Sequence, residues 1–351
     1  MKRNLNFPKY VSIQTTSFCN ARCVFCPNEE TRNLFPVRIM DRGLFHKIID
    51  ECSEYENIER IILYLNNEPL TDPHLVERIN YAKEKVPWAS VHILSNGSLL
   101  TDDLSDNLIN SRLDWIGFSI HGVTKKTFEA AMGLDYDSTF QRVLRFIDRA
   151  KEKRNSKDFI MITFLRHAYL TLEEKEAAIK FWSDKGIERI SYFDGPISRA
   201  GNVKNLPKVR HRKTQGCSTI WATEMIHIVE NGDVVFCCMD WRREVVLGNI
   251  NKQDIHEVWN SQLYDVMRDR RDGRRESGES FICKRCEAAI SSVQQVEVMN
   301  AFTEKLKVGS YPKRCLSKFI LLSCIFACAL FYSSYFWLFK KLRGKLILGG
   351  S

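Results

Sequence analysis

Three cysteines stand within eight residues near the N-terminus, in "TTSFCNARCVFCPN": Cys19, Cys23 and Cys26, a C-x3-C-x2-C spacing. Three thiols cannot pair off as disulfides among themselves, and a closed tetrahedral zinc site wants four ligands. Thiolates are soft ligands that favour zinc, copper(I) or iron–sulfur clusters. A site one ligand short leaves a position open for a substrate or cosubstrate. More thiols lie far downstream: Cys217, the neighbours Cys237 and Cys238, and Cys283 and Cys286 in "CKRC". Four cysteines ending in C-x2-C suit structural zinc or a closed cluster.

The elements that position these thiols are legible from periodicity. "YVSIQ" at 10–14 reads as a strand, and "RGLFHKIIDECSEY" as an amphipathic helix with Phe45, Ile48, Ile49 and Cys52 on one face. Then come "ERIILYL" (strand), "DPHLVERINYAKEK" (helix, Pro73 in its first turn) and "SVHILSN" (strand). A helix near 101–111, the strand "LDWIGFSI" and a helical stretch to about 153 follow. "FIMITFL" (strand), "LEEKEAAIKFWSDK" (helix) and "IERISYF" (strand) complete the series. Six strands alternating with helices call for an α/β fold with a parallel sheet and helices outside. Ligands gather at the C-terminal ends of such strands, and the three cysteines follow the first strand.

A chain of 351 residues is long enough for two domains, at roughly 150 residues each, and 44% hydrophobic with 27% charged residues is a globular composition. No N-terminal apolar stretch with a cleavage site is present, so no secretory route is expected. Twelve cysteines clustered at ligand spacings argue for a reducing cytoplasm and metal rather than disulfides. Of the net charge of +9, +8 sits in the tail, since residues 302–351 hold nine Lys/Arg and one acid, Glu304. The body is close to neutral, so no nucleic-acid partner is expected. Residues 319–339, "FILLSCIFACALFYSSYFWLF", carry no charge and would span roughly 30 Å as a helix. With Trp337 and the Lys340/Lys341 flank they read as a membrane anchor, spanning or interfacial. A buried or amphipathic C-terminal helix is the other reading.

C-x3-C-x2-C after a first strand in a repeating β/α chain resembles the radical S-adenosylmethionine superfamily. "YLNNEPLTDPHL" resembles that family's Gly-Gly-Glu-Pro strand end, "SNGSLLT" its Thr-Asn-Gly segment, and "IGFSIHG" its fourth-strand Ser-x-Asp-Gly pattern. The resemblance covers roughly residues 8–290. It implies a partial (β/α)6 TIM-like barrel in which Cys19, Cys23 and Cys26 hold a 4Fe–4S cluster. The fourth iron would bind S-adenosylmethionine, and a 5′-deoxyadenosyl radical would take a hydrogen atom from substrate. A low-potential electron donor such as flavodoxin or ferredoxin is implied too. Asn66, Asn67 and Glu68 are the expected S-adenosylmethionine contacts, with Asn96 and Ser119 at the same mouth. Asn66 and Asn67 stand where the family usually has glycines, and His121 where it often has aspartate. His121 reads either as a packing histidine or as a base, and Phe18 and Phe25 as cluster shields or core.

After the Gly/Pro-punctuated connector "PISRAGNVKNLPKVRHRKTQG", "MIHIVENGDVVFCC" reads as a hairpin turning at Asn231-Gly232. With Cys217 before it and "CKRC" after it, this segment resembles the Twitch form of the SPASM auxiliary-cluster domain. That implies a second 4Fe–4S cluster on Cys217, Cys237, Cys283 and Cys286. Neighbours on a strand face opposite ways, and the Gly-x4-Cys match selects Cys237 over Cys238. The expected organisation is a barrel over 1–200, a small α+β auxiliary domain over 201–300, and a basic-flanked apolar helical tail over 301–351. The spacing is similar to that of aminocyclitol dehydrogenases in the superfamily, so oxidation of a carbohydrate-like small molecule leads. A peptide-modifying maturase and a membrane-tethered metal-binding scaffold are the alternatives. Arg199 in "PISRAGN", after the sixth strand, could reach the barrel mouth as a charge partner for an oxyanion, or simply contact a phosphate or carboxylate.

Overall fold

The computed structural model describes residues 6–154, 158–194, 198–204, 206, 208–291 and 294–297. Six parallel strands run in chain order around one sheet: β1 (Tyr10–Ile13), β2 (Arg60–Ile62), β3 (Ser90–Ser95), β4 (Trp115–Ser119), β5 (Ile160–Leu165) and β6 (Arg189–Phe193). Helices connect them, as parallel pairing requires. Side-chain oxygens cap several of these helices. Asp41 accepts from the Leu44 amide before the helix Arg42–Ser53, Thr101 from Leu104 before Asp102–Asn110, and Thr171 from Glu174 before Leu172–Asp184.

Alternation along the strands divides the core into two layers. Val11, Ile13, Ile61, Ile93, Ile116, Phe118 and Ile162 are buried with the helices' apolar faces. Positions of the other parity point into the barrel. At its N-terminal end His92 packs against Trp115 (ring centroids 4.6 Å apart), and Arg189 lies over Trp115. Gly117 makes that layer possible, because a Cβ there would meet Leu94 at 2.5 Å and Trp115 at 2.7 Å. Small and polar inward residues one layer higher, Ser12, Ser119 and Thr163, leave a cavity at the C-terminal end.

Several expectations need correction. The second helix is Leu75–Lys85, so Pro73 stands before it, between a 3-10 turn at Pro69–Thr71 and the cap residue His74. The stretch after β4 is two helices, Lys125–Met132 and Tyr136–Arg154, broken at left-handed Gly133. The hairpin of the second half joins the barrel sheet. With β7 at Lys208–His211 and β8 at Gly216–Cys217, the hairpin strands are β9 (Met225–Ile228) and β10 (Asp233–Val235), followed by β11 (Val246–Asn249). β9 pairs in parallel with β1, giving the nine-strand order β11-β10-β9-β1-β2-β3-β4-β5-β6. Short helices Ile255–Trp259 and Gln262–Arg271 complete this region. Among the described residues no helix is long and apolar enough to cross a membrane. The expected apolar tail at 319–339 lies outside them.

Candidate active site

The cysteine loop after β1 is pinned from several sides. The Glu68 amide donates to the Phe18 carbonyl (3.0 Å), while the amides of Arg22 and Val24 donate to Met132 (2.9 Å) and Ala131 (3.0 Å). Those carbonyls end a helix and have no partner within it. Gly133 closes that helix at φ 63°, and a Cβ there would lie 3.1 Å from the Cβ of Arg22. The loop's seat therefore depends on a glycine that belongs to another β/α unit. Asn20 adds a side-chain tie, donating to Ser98 Oγ (2.8 Å) and accepting from Asn96 Nδ2 (2.9 Å).

Cys19, Cys23 and Cys26 line one cavity together with Asn66, Asn67, Glu68, Asn96 and Ser119. Every barrel residue expected at the mouth is therefore there. Burial pushes the Cys19 thiol up to about 12, with the Glu68 charge adding to it. Burial raises Cys23 well above its ordinary value, reinforced by Cys26 and Cys19. Burial also raises Cys26, opposed by the Asn28 amide and the Arg199 guanidinium. Three sequestered thiols that resist ionisation need a cationic partner to become thiolates, and soft iron is one. Among the described residues no three His, Cys, Asp or Glu side chains converge as a single ion would require. In a cubane each thiolate binds a separate iron, which asks for a wider spread. The donor set fits the cluster.

Glu68 faces inward. Its carboxylate accepts from Ser95 Oγ (2.7 Å), the Asn96 amide (2.7 Å) and the Leu70 amide (3.0 Å), and burial raises its pKa to about 7 against those bonds. It thus ties the ends of β2 and β3 together behind the cavity wall. Glutamine there would set an amide NH2 against a backbone or hydroxyl donor. Glu68→Gln is expected to lose about 1–3 kcal/mol of stability and to weaken S-adenosylmethionine binding, read by denaturant titration and by cosubstrate titration of the reconstituted protein. Unchanged values in both would remove this role.

A longer-range chain escaped sequence reasoning. The Asn66 amide donates to Gln14 Oε1 (3.1 Å), Gln14 Nε2 donates to Glu230 (2.8 Å), and Arg243 donates to both Glu230 oxygens (2.9 and 2.7 Å). The second half thereby fixes the Asn66–Asn67 loop. The local signal was an amide, Gln14, directly after β1.

His121 is held by packing and also lines the cavity. Its Nδ1 accepts from the Leu165 amide (3.3 Å), its ring meets Phe25 edge-on at 4.5 Å, and burial lowers its pKa to about 3. Phe25 is buried and lines the cavity, whereas Phe18 is 41% exposed. Cys52 is core, as its helix face implied. Arg199 does reach the mouth, as do Trp221, Met225, His227, Cys238 and Trp241 from the second half. Aromatics beside the downstream cysteines were the overlooked signal for the two tryptophans. Three buried donors of cavity-lining residues, Asn67 Nδ2, Arg199 Nε and Trp241 Nε1, have no partner among the described residues. They suit a ligand rich in oxygen acceptors.

A second, wholly apolar-walled cavity is lined by Cys217, Cys237, Cys283 and Cys286, with Trp221, Met239 and Ile282. Cys237 lines this cavity and Cys238 the first. Both lie beyond β10, which ends at Val235, so strand alternation does not set their directions, and their thiols touch. Burial drives Cys283 and Cys286 well above their ordinary values, and contact with Cys238 together with burial does the same for Cys237. Cys217 and Cys237 add to the raising of Cys283 and Cys286 through charge, so all four share one site. Four thiols in a dry pocket fit a closed cluster as the first three fit an open one.

Comparison with known proteins agrees with this geometry. Residues 13–167 match the radical SAM superfamily, and residues 217–287 match an iron–sulfur cluster-binding domain, SPASM. The chain is 22% identical over 277 residues to the S-adenosyl-L-methionine-dependent 2-deoxy-scyllo-inosamine dehydrogenase of Niallia circulans, covering 79% of this chain and 91% of that protein. It is 21% identical over 302 residues to the tungsten-containing aldehyde ferredoxin oxidoreductase cofactor-modifying protein of Pyrococcus furiosus, covering 74% and 83%. Two solved structures share the fold. BtrN in complex with AdoMet and 2-DOIA has a TM-score of 0.55 at 21% identity, covering 79% of this chain and 92% of that one. Streptococcus suis SuiB bound to precursor peptide SuiA has a TM-score of 0.60 at 15% identity, covering 80% and 70%.

Proposed function

Because this chain belongs to the radical S-adenosylmethionine superfamily and carries an iron–sulfur cluster-binding domain behind its barrel, we propose that it oxidises a hydroxylated, carbohydrate-like small molecule by two electrons. The observation that carries this reading is the pair of neighbouring thiol-lined cavities, one with three cysteines and one with four, whose lining shares Trp221. When bound, the two clusters and S-adenosylmethionine supply hydrogen-atom removal at the first site and electron acceptance at the second. Similarity to a dehydrogenase acting on an aminocyclitol supports the substrate class.

The chain's own residues do the rest. Asn66, Asn67, Asn96 and Ser119 border the cosubstrate's place, and Glu68 holds the ends of β2 and β3 in register. Phe25, Trp221 and Met225 keep water from the reacting carbon. An alcohol that has lost a hydrogen atom at carbon becomes far more acidic. The Arg199 guanidinium is the chain's charge partner for an oxyanion at that hydroxyl.

The test uses anaerobically reconstituted protein with reductant, S-adenosylmethionine and candidate polyols or aminocyclitols deuterated at a carbinol carbon. Deuterium arriving in 5′-deoxyadenosine supports the reading. Turnover of a peptide encoded beside this gene, with none of the polyols, would move the protein to the peptide-modifying class. With an accepted substrate, Arg199→Ala is expected to lower turnover about 10²-fold or more; unchanged turnover removes Arg199 from the site.

We also assign residues 319–339 as the membrane anchor of cytoplasmic catalytic domains, on their uncharged length and basic flanks. Truncation after about residue 310 is expected to shift the protein from membrane to soluble fraction with its iron retained. Full-length protein already soluble in low salt without detergent would overturn the anchor.

A further inference from the structure

The arginine that reaches the first cavity sits in an unfavourable backbone conformation. Arg199 and Ala200 both have φ of 53°, the left-handed region that residues with side chains seldom occupy and that something outside the turn must hold. The holder is one carboxylate. Glu287 accepts from the Arg199 amide (2.9 Å), the Ala200 amide (3.2 Å) and Ser198 Oγ (3.1 Å). Consecutive amides aimed at one anion form a nest, and here the anion is internal. Glu287 directly follows Cys286 in the second cavity, and His211 contacts the Cys286 carbonyl at 2.9 Å. At the turn's other end, Asn202 Nδ2 donates to the carbonyls of Arg199 (2.7 Å) and Met239 (3.3 Å). Arg199 itself acts electrostatically on Cys26 and His121.

We propose that Glu287 is a positioning residue that locks the Ser198–Ala200 turn onto the auxiliary cysteine loop and so holds Arg199 in the first cavity beside Cys26. The proposal rests on the reading of Arg199 as part of that site. It makes the two cysteine sets one mechanical unit, in which the segment bearing Cys286 also sets a charge near Cys26.

The sign of an electrostatic effect separates this role from mere charge. A cation near an iron–sulfur cluster favours its reduced, more negative state, so losing Arg199 lowers the first cluster's reduction potential. Removing a carboxylate does the opposite. The experiment uses reconstituted full-length protein, follows the first-cluster signal in a redox titration, and measures amide hydrogen exchange in peptides covering 198–203. Glu287→Ala is expected to retain the iron of both clusters and to speed exchange at 198–203 about tenfold or more. It should also lower the first-cluster potential, as Arg199→Ala does, with no further fall in the double variant. Glu287→Gln keeps one acceptor and should lie between wild type and Glu287→Ala; it carries the test if the alanine variant loses iron. Unchanged exchange, or a first-cluster potential that rises in Glu287→Ala, overturns the proposal. If Arg199→Ala leaves the potential unchanged while Glu287→Ala frees the turn, the reading of Arg199 falls and the hold by Glu287 stands.

Discussion

Replacing Cys19, Cys23 and Cys26 together with alanine is expected to remove about half of roughly eight irons per chain and to abolish 5′-deoxyadenosine production. The other half should remain, because Cys217, Cys237, Cys283 and Cys286 line a cavity of their own. The fold should survive as well, since the loop's backbone bonds to Met132, Ala131 and Glu68 do not involve the thiols. Iron and sulfide analysis with chromatography of the reaction mixture reads both quantities. Stoichiometric zinc retained at the Cys217 group, in wild type or variant, would count decisively against an auxiliary iron–sulfur cluster.

The second large effect belongs to the auxiliary set. A site with four cysteines has no open position for substrate unless one ligand leaves, so under the proposed oxidation its work would be to take up the electron left after hydrogen abstraction. Replacing Cys283 and Cys286 should preserve some S-adenosylmethionine cleavage while oxidised product falls by about an order of magnitude or more. In the unaltered enzyme, one S-adenosylmethionine should be consumed and one 5′-deoxyadenosine formed per oxidised product under limiting cosubstrate. Many products per S-adenosylmethionine would mean that the cosubstrate is regenerated, as in an isomerase, and the oxidase reading would fall.

Local pattern carried much of this protein. Period-two and period-3.6 repeats of apolar residues marked six strands and their helices, because each repeat is imposed by the geometry of its own element. The spacings of Cys19, Cys23 and Cys26 and of Cys283 and Cys286 were equally local, since one short loop must present those thiols. The different cavities of Cys237 and Cys238 do not follow from strand alternation, because both lie past the end of β10. Other features had no local signature. That β9 pairs with β1 depends on edges brought together across more than two hundred residues, and only that pairing places His227, Trp221 and Trp241 over the barrel mouth. Glu68 could be read as a cosubstrate contact from its motif, but its three inward bonds exist only once β2 and β3 lie side by side. Gln14, Glu230 and Arg243 form one chain, and Glu287 grips Arg199, through partners whose separations along the sequence nothing nearby constrains. Residue type and spacing therefore determined which chemistry this protein performs. Which side chains point at it was decided by long-range packing, where a buried polar group takes whatever partner the fold brings within reach.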